Sequence, residues 1–250
     1  MGQESIISIT WLDPGICELK MQDRRSKNAF SAELVQGLIT AFDSIRDNPE
    51  CRVVILTGYD SYFLSGGTQQ RLLDLSQGKA RFSDSRLYSL PLYCPVPVIS
   101  AMQGHGIGGG FVLGLFADFV LLARESIYTA NFMRYGFTPG MGATCVLPRK
   151  LGLALSEEML LGAQSYRGGE LAARGIPFPV LPRAQVLPRA RDLAREIAEK
   201  PRLSLVNLKA HLVSELREAL PHAVQQEVTL QEITFSQPEV QARIRESYGE

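Results

Sequence analysis

The segment 103–110, Gln-Gly-His-Gly-Ile-Gly-Gly-Gly, has the spacing of small residues that most directly suggests chemistry. It lies between an apolar run over 97–102, which predicts a strand, and a helix expected to begin near Gly110. Glycine permits tight turns and close approach of a ligand to the main chain, and the start of a helix adds N–H groups with partial positive charge. We therefore expect this segment to bind an oxygen atom that becomes negative during a reaction.

A second glycine turn, residues 63–68 (Phe-Leu-Ser-Gly-Gly-Thr), follows the predicted strand 52–57. Two strand ends that each offer one backbone N–H group form an oxyanion hole, which stabilises an acyl oxygen as it gains charge. The segment 104–109 also fits the dinucleotide-binding pattern GxGxxG, but that pattern requires a full crossover helix and a later acidic residue. The next predicted strand begins near Asp118, which is too early. We therefore favour the oxyanion hole.

Apolar runs and turn residues predict the elements that position these two turns. Strands are expected over 5–11 and 16–21, and Ser31 is expected to cap a helix whose apolar residues recur at helical spacing. The strand-strand-helix rhythm then recurs more loosely, and helical segments dominate the last hundred residues. We expect an α/β fold with a β-rich core over 1–200 and a C-terminal helical region of the same fold over 201–250.

The composition excludes several classes of protein. The 250-residue chain has 26 Lys and Arg residues against 26 Asp and Glu residues, which argues against a nucleic-acid-binding protein. The N-terminus has no signal pattern, and no apolar run approaches the ~18 residues of a membrane span. The four cysteines lack CxxC spacing and the three histidines lack metal-ligand spacing. We expect a cytoplasmic protein with buried thiols, no metal site and no membrane contact.

Two further signatures follow the glycine turns: Ala117-Asp118, and the segment 136–143, Gly-Phe-Thr-Pro-Gly-Met-Gly-Ala. Together these segments resemble the crotonase (enoyl-CoA hydratase/isomerase) superfamily, and the resemblance covers nearly the whole chain. It implies a crotonase-like spiral of ββα units, with C-terminal helices that build a homotrimer or a dimer of trimers. It also implies an acyl thioester whose carbonyl oxygen lies between two backbone N–H groups, by position those of Gly67 and Gly109.

The site departs from the hydratases of this family. Hydratases carry one glutamate after the glycine loop and another ahead of the Pro-Gly turn, because adding water to a double bond needs a paired acid and base. The matching positions here are Val112 and Phe132. We place both in an apolar substrate pocket together with Phe111. His105, inside the glycine loop, is assigned to the same pocket as a support for the loop rather than as a reacting group.

Three shorter segments, 128–139, 165–168 and 200–204, narrow the resemblance to the decarboxylating crotonases of polyketide β-branching. These enzymes convert 3-methylglutaconyl to 3-methylcrotonyl on an acyl carrier protein, whose phosphopantetheine holds the substrate, so no cofactor of the enzyme is implied. The subgroup also implies a lysine after the first glycine turn and a histidine in the C-terminal helices. Lys79 matches the lysine, but the histidine position holds Gln231, which can donate a hydrogen bond and cannot act as a general acid.

Other functions remain open from the residues alone. An enoyl-CoA isomerase of the same family needs one carboxylate base, which Asp74 or Asp84 could supply, whereas an enoyl-CoA hydratase would need the paired acid and base. A catalytically silent protein would bind a carrier without turnover, and the missing glutamates and histidine are compatible with it. The basic cluster 23–27 is either a solvated turn or a contact to a nucleotide phosphate or an acidic carrier helix. An apolar pocket beside an intact oxyanion hole favours decarboxylation, which needs a stabilised dienolate oxygen and no base.

Overall fold

Two β-sheets surrounded by helices form the fold in a computed structural model, which describes residues 5–80, 86–246 and 248. The strands are β1 (Ile7–Trp11), β2 (Ile16–Met21), β3 (Val53–Thr57), β4 (Tyr62–Leu64), β5 (Val98–Met102), β6 (His105–Ile107), β7 (Phe119–Ala123), β8 (Ile127–Thr129), β9 (Ser165–Arg167) and β10 (Val180–Leu181). The α-helices are α1 (Ala32–Arg46), α2 (Gln69–Ser76), α3 (Leu90–Tyr93), α4 (Gly109–Leu115), α5 (Ala143–Leu151), α6 (Leu153–Leu160), α7 (Gly168–Ala173), α8 (Arg183–Ala198), α9 (Arg202–Leu212), α10 (Ser214–Phe235) and α11 (Pro238–Glu246). Short 3-10 helices cover Leu87–Ser89 and Asn131–Tyr135. Within these described residues, no helix is both long and apolar enough to cross a membrane.

The chain alternates between the two sheets as it winds. The larger sheet has the strand order β1-β2-β3-β5-β7-β10, and the smaller has the order β4-β6-β8-β9. Thus β3, β5 and β7 enter the larger sheet, and the strand after each of them enters the smaller one. Strands β2, β3, β5 and β7 pair in parallel, as do β4, β6 and β8, so equivalent strand ends reach the same edge. This arrangement confirms the predicted spiral of ββα units, although the short strands β4, β6, β8, β9 and β10 were not predicted individually.

The central strands of the larger sheet are buried on both faces, as is typical of parallel strands. All five residues of β3 and all five of β5 are buried. Ile55 and Ile99 belong to an apolar cluster with Val186 of α8, while Leu56 belongs to the main core on the other face. Because side chains alternate between the faces of a strand, one apolar run supplies both layers. The sheet is therefore a rigid support for the loops at its edge.

A buried ion pair attaches the C-terminal helices to this core. Nζ of Lys209 in α9 lies 2.7 Å from Oδ2 of Asp118, the residue before β7. The same ammonium group donates to the carbonyl oxygens of Pro91 and Val96 at 2.9 and 3.0 Å. Asp118 also accepts the N–H of Val98 at 2.7 Å. Partners for both charges fix α9 beside the start of β5. A boundary between residues 200 and 201 stays a prediction.

Candidate active site

Both glycine turns line one cavity of about 650 Å³. Gly67 follows β4 and Gly109 follows β6, and because these strands are parallel neighbours, the two turns reach the same edge of the smaller sheet. The other walls are largely apolar and are formed by Leu72, Ile107, Phe132, Tyr135, Phe137 and Met141. Polar lining residues include Ser26, Lys27, Asn131, Arg134, Ser165 and Tyr248. None of the described residues that line this cavity is Asp, Glu or His.

The backbone N–H groups of Gly67 and Gly109 donate no hydrogen bond to another described residue. Gly109 is the first residue of α4, and the N–H of a first helical residue has no partner inside the helix. The backbones of the two turns lie next to each other. A Cβ atom placed on Gly66 would lie 2.8 Å from the carbonyl oxygen of Ile107 and 3.8 Å from the nitrogen of Gly109. Adjacent turns thus present two N–H groups to the same cavity.

A side chain at position 109 would require Met141 and Phe30 to move. A Cβ atom at this position would lie 2.3 Å from Sδ of Met141 and 3.0 Å from Cε2 of Phe30. The preceding Gly108 has a φ of +53°, in the left-handed region that favours glycine. The helix α4 begins at Gly109, one residue before the predicted start. These constraints leave the N–H of residue 109 as the group that can meet a ligand.

The first glycine turn is held by the segment that follows β2. Nδ2 of the buried Asn28 donates to the carbonyl oxygens of Phe63 and Met21 at 2.9 and 3.1 Å. The N–H of Phe30 donates to the carbonyl oxygen of Gly66 at 2.7 Å. Oγ of Ser65 donates to the carbonyl oxygen of Lys27 at 2.6 Å. The turn is therefore positioned by hydrogen bonds before any substrate binds.

The structure separates the three apolar residues that were expected in the substrate pocket. Phe132, in the 3-10 helix after β8, lines the cavity. Phe111 and Val112 are fully buried in α4 and do not line it. The ring of Phe111 packs against that of Tyr128 with 5.6 Å between their centres. Helix α4 turns these two side chains into the core, beneath the glycine loop, while its first N–H remains at the cavity.

His105 supports the glycine loop from within β6 and does not line the cavity. Its Nδ1 accepts the backbone N–H of Ile127, on the neighbouring β8, at 2.9 Å. Burial lowers the pKa of His105 below its usual 6.5, and Arg183 and Arg167 lower it further. A neutral imidazole with Nδ1 as acceptor fits this role. Elsewhere in the described chain, no group of three or more His, Cys, Asp or Glu side chains is placed to hold a metal ion.

Lys79 and Gln231 belong to a different region of the molecule. Gln231 of α10 is buried, donates from Nε2 to the carbonyl oxygen of Thr138 at 3.3 Å, and lines a second cavity of about 440 Å³. Lys79 lies in the exposed segment after α2, next to Gly78, which lines that second cavity. Neither residue lines the cavity of the two glycine turns. Asp74 in α2 accepts from Gln70 at 3.0 Å, whereas Asp84 lies outside the described residues.

Tyr248 lines the cavity but was not predicted from the sequence. Its hydroxyl donates to the carbonyl oxygen of Gly67 at 2.8 Å. Burial raises the pKa of this tyrosine, so the hydroxyl keeps its proton and remains a donor. No motif indicates this contact, because 181 positions separate the two residues.

Comparison with known proteins identifies the family. Residues 12–250 match the family model described as enoyl-CoA hydratase/isomerase. The chain belongs to this family. It is 60% identical over 245 residues to the bacillaene synthase decarboxylase PksI of Bacillus subtilis (strain 168), and the match covers 98% of each chain. It is 30% identical over 196 residues to carnitinyl-CoA dehydratases of Salmonella, covering 75% of this chain and 73% of the relative.

Solved structures agree with this family. One described as part of a dehydratase/decarboxylase enzyme couple of polyketide β-branching is 59% identical, with a TM-score of 0.98, and the match covers 98% of this chain and all of the other. The ECH2 decarboxylase domain of CurF from Lyngbya majuscula is 43% identical, with a TM-score of 0.94 and the same coverage. This chain is thus an enzyme of the crotonase family, of the decarboxylase type.

Proposed function

We propose that this enzyme removes CO2 from a 3-methylglutaconyl thioester on an acyl carrier protein and forms 3-methylcrotonyl during polyketide β-branching. The observation that carries this function is a cavity in which two bare N–H groups face apolar walls, with no Asp, Glu or His among its described lining residues. Hydration and isomerisation need a base beside the substrate. The loss of CO2 needs no base, but it needs a place for negative charge on the thioester oxygen. The identity of 60% with PksI supports the same chemistry.

The two N–H groups act on the charge that develops as CO2 leaves. The thioester oxygen accepts hydrogen bonds from Gly67 and Gly109. The bond between the carboxylate carbon and its neighbouring CH2 breaks, and its electrons pass through the C=C bond to the thioester oxygen, which gives a dienolate. The hydrogen bonds strengthen as that oxygen becomes negative. A proton then adds to the former CH2 carbon, which becomes a methyl group. Apolar walls that include Phe132 and Phe137 keep water away from the thioester end of the substrate, where the dienolate forms.

We assign the carboxylate and the proton to the region of Lys79 and Gln231. Gln231 lines the second cavity, and Lys79 lies between two residues that line it, Gly78 and Ala80. Lys79 would hold the carboxylate by its charge or supply the proton, and Gln231 would donate a hydrogen bond. Lys79→Arg should keep most of the activity if charge alone is needed, whereas both Lys79→Arg and Lys79→Met should lose it if Lys79 delivers the proton. Lys200→Met, at an exposed site after α8, is the matched control.

The basic cluster 23–27 offers a contact for the carrier at the cavity opening. Lys27 is exposed and lines the cavity, whereas Arg24 is paired with Asp60 at 2.9 Å. Lys27→Glu should raise KM for the carrier-bound substrate, leave kcat unchanged, and have little effect with a short pantetheine thioester. Lys200→Glu should change neither constant.

The oligomeric state and the cellular location are proposed from the resemblance to the crotonase family. We propose a homotrimer, or a dimer of trimers, that works in the cytoplasm without a cofactor of its own. Exposed leucines along α9 support an interface between copies: Leu203, Leu208 and Leu212. Light scattering of the purified protein measures the number of copies, and Leu208→Glu should lower it. A monomer at all concentrations would contradict the trimer.

The decisive experiment follows the intact mass of a carrier loaded with 3-methylglutaconyl after incubation with the enzyme. Loss of one CO2 is the expected result. Gain of one water would show hydration and overturn the proposed reaction. Binding of the carrier without any mass change would favour a catalytically silent protein. The same loaded carrier incubated without enzyme measures spontaneous decarboxylation.

A further inference from the structure

The buried carboxylate of Glu227 has no part in the chemistry above. It lies in α10 with 2% of its surface exposed. Oε2 accepts the N–H of Gly142 at 2.7 Å, and Oε1 accepts the N–H and the hydroxyl of Thr144 at 2.9 and 2.6 Å. These N–H groups are at the start of α5, where a helix cannot satisfy its own donors. Gly142, the residue that precedes α5, has no side chain with which to cap the helix. Glu227 therefore caps α5 from a different helix.

The same face of α10 also binds Thr138, at the other end of the turn that precedes α5. Oγ1 of Thr234 accepts the N–H of Thr138 at 3.2 Å, and Gln231 donates to the carbonyl oxygen of that residue. Glu227, Gln231 and Thr234 are four and three positions apart, which places them on one side of a helix. The turn from Thr138 to Thr144 is thus fixed at both ends by α10.

This turn carries Met141, which packs directly on the second glycine turn. Its Sδ lies 2.3 Å from where a Cβ of Gly109 would be. A methionine side chain is unbranched and flexible, so it does not fix the position of its own sulfur. That position therefore also depends on a well-ordered backbone at residue 141. Met141 also has a φ of +64°, a conformation that persists only where the surrounding structure enforces it.

We propose that Glu227 is a positioning residue of the oxyanion hole, which fixes the start of α5 and so presses Met141 against the turn of Gly109. It acts through Met141 and touches neither the substrate nor the two N–H donors. The inference rests on the proposed function, because it assigns Gly109 the oxyanion. Small displacements of a catalytic donor have large effects on rate, so loosening this contact should slow the reaction.

The test is a double-mutant cycle of Glu227→Gln and Met141→Ala. Glu227→Gln keeps the shape but replaces one acceptor oxygen with an NH2 group that faces an N–H donor. We expect kcat per folded enzyme to fall about tenfold or more, with KM changed less than about threefold. In the Met141→Ala background the same substitution should cost less than about threefold, because the contact it acts through is already lost. Glu218→Gln, at an exposed site of α10, should behave as wild type in both backgrounds.

A purely structural role would give a different pattern. Glu227→Gln would then lower Tm with kcat unchanged, or would lower kcat equally in both backgrounds, and either result overturns the inference. If Glu227→Gln does not fold, Thr144→Val removes one of the three hydrogen bonds and goes through the same cycle.

A readout without turnover separates this inference from the proposed function. Hydrogen exchange by mass spectrometry should become faster in peptides that cover 138–144 and 107–112, but not in α1, when Glu227 is replaced. If the wild type releases no CO2, the proposed function fails while this exchange pattern still tests the link. Unchanged exchange at 107–112 would refute the link itself.

Discussion

Removal of the Gly109 N–H tests the oxyanion hole directly, because proline at this position deletes the donor. Residue 109 is the first of α4, where proline is well tolerated. The complication is steric, since any Cβ would lie 2.3 Å from Sδ of Met141. We therefore place the substitution in a Met141→Ala background, which removes that sulfur. Gly109→Ala in the same background adds a Cβ but keeps the N–H, so the two double variants differ mainly in the donor.

The expected difference follows from the number and surroundings of the donors. The cavity offers two N–H groups to one oxygen, and apolar side chains form most of its other walls. Loss of one of two such donors typically lowers kcat by about 10²–10³, or about 2.7–4 kcal/mol of transition-state stabilisation. We therefore expect kcat of the Gly109→Ala double variant to exceed that of the Gly109→Pro double variant by this factor. The N–H of Gly67 should support the residual activity.

Single-turnover decarboxylation of the loaded carrier, followed by intact mass, measures this ratio without interference from product release. Circular dichroism and thermal unfolding establish that both double variants are folded. A ratio within about threefold would refute the assignment of Gly109 as a donor. An equally large loss in Gly109→Ala would show that space, and not the N–H, limits the rate.

Three further predictions concern the supports of the site. The folded-state pKa of His105 is lowered from 6.5, so wild-type stability should decrease as pH falls below about 6.5 and through that lower pKa. His105→Gln should make the free energy of unfolding in urea depend less on pH in this range. An unchanged dependence on pH would contradict the prediction. Lys209→Met removes the ammonium group paired with Asp118 and should lower the free energy of unfolding by about 3 kcal/mol in urea titrations. A loss below about 1 kcal/mol would mean that water or the nearby Lys150 compensates for the lost charge. Val112→Ala should lower the free energy of unfolding by about 1–2 kcal/mol, since the side chain is fully buried. Its kcat should stay within about threefold of wild type, because this residue does not line the cavity. Loss of turnover at full stability would place Val112 in the site.

Residue types and short spacings were enough to predict the two glycine turns and what they offer. A turn that needs positive φ, and a first helical residue without an intrahelical acceptor, depend only on a few neighbouring positions. The start of α4 was therefore predicted to within one residue of Gly109. The resemblance to the crotonase family identifies positions 112 and 132 as those of the hydratase glutamates, and neither position holds a glutamate. The inference about the glycine turns is local, and the structure places Gly67 and Gly109 at one cavity.

Which side chains share that cavity could not be predicted in the same way. Phe111 and Val112 follow Gly109 closely, but α4 turns them into the core. Tyr248 reaches Gly67 across 181 positions, and Glu227 reaches Gly142 across 85. The sequence by itself determined where bare N–H groups form, because this depends on backbone conformation and residue type within a few positions, and its resemblance to the crotonase family showed which acid-base residues are missing. Only the tertiary structure decided what surrounds those N–H groups, because that depends on the packing of helices from distant parts of the chain.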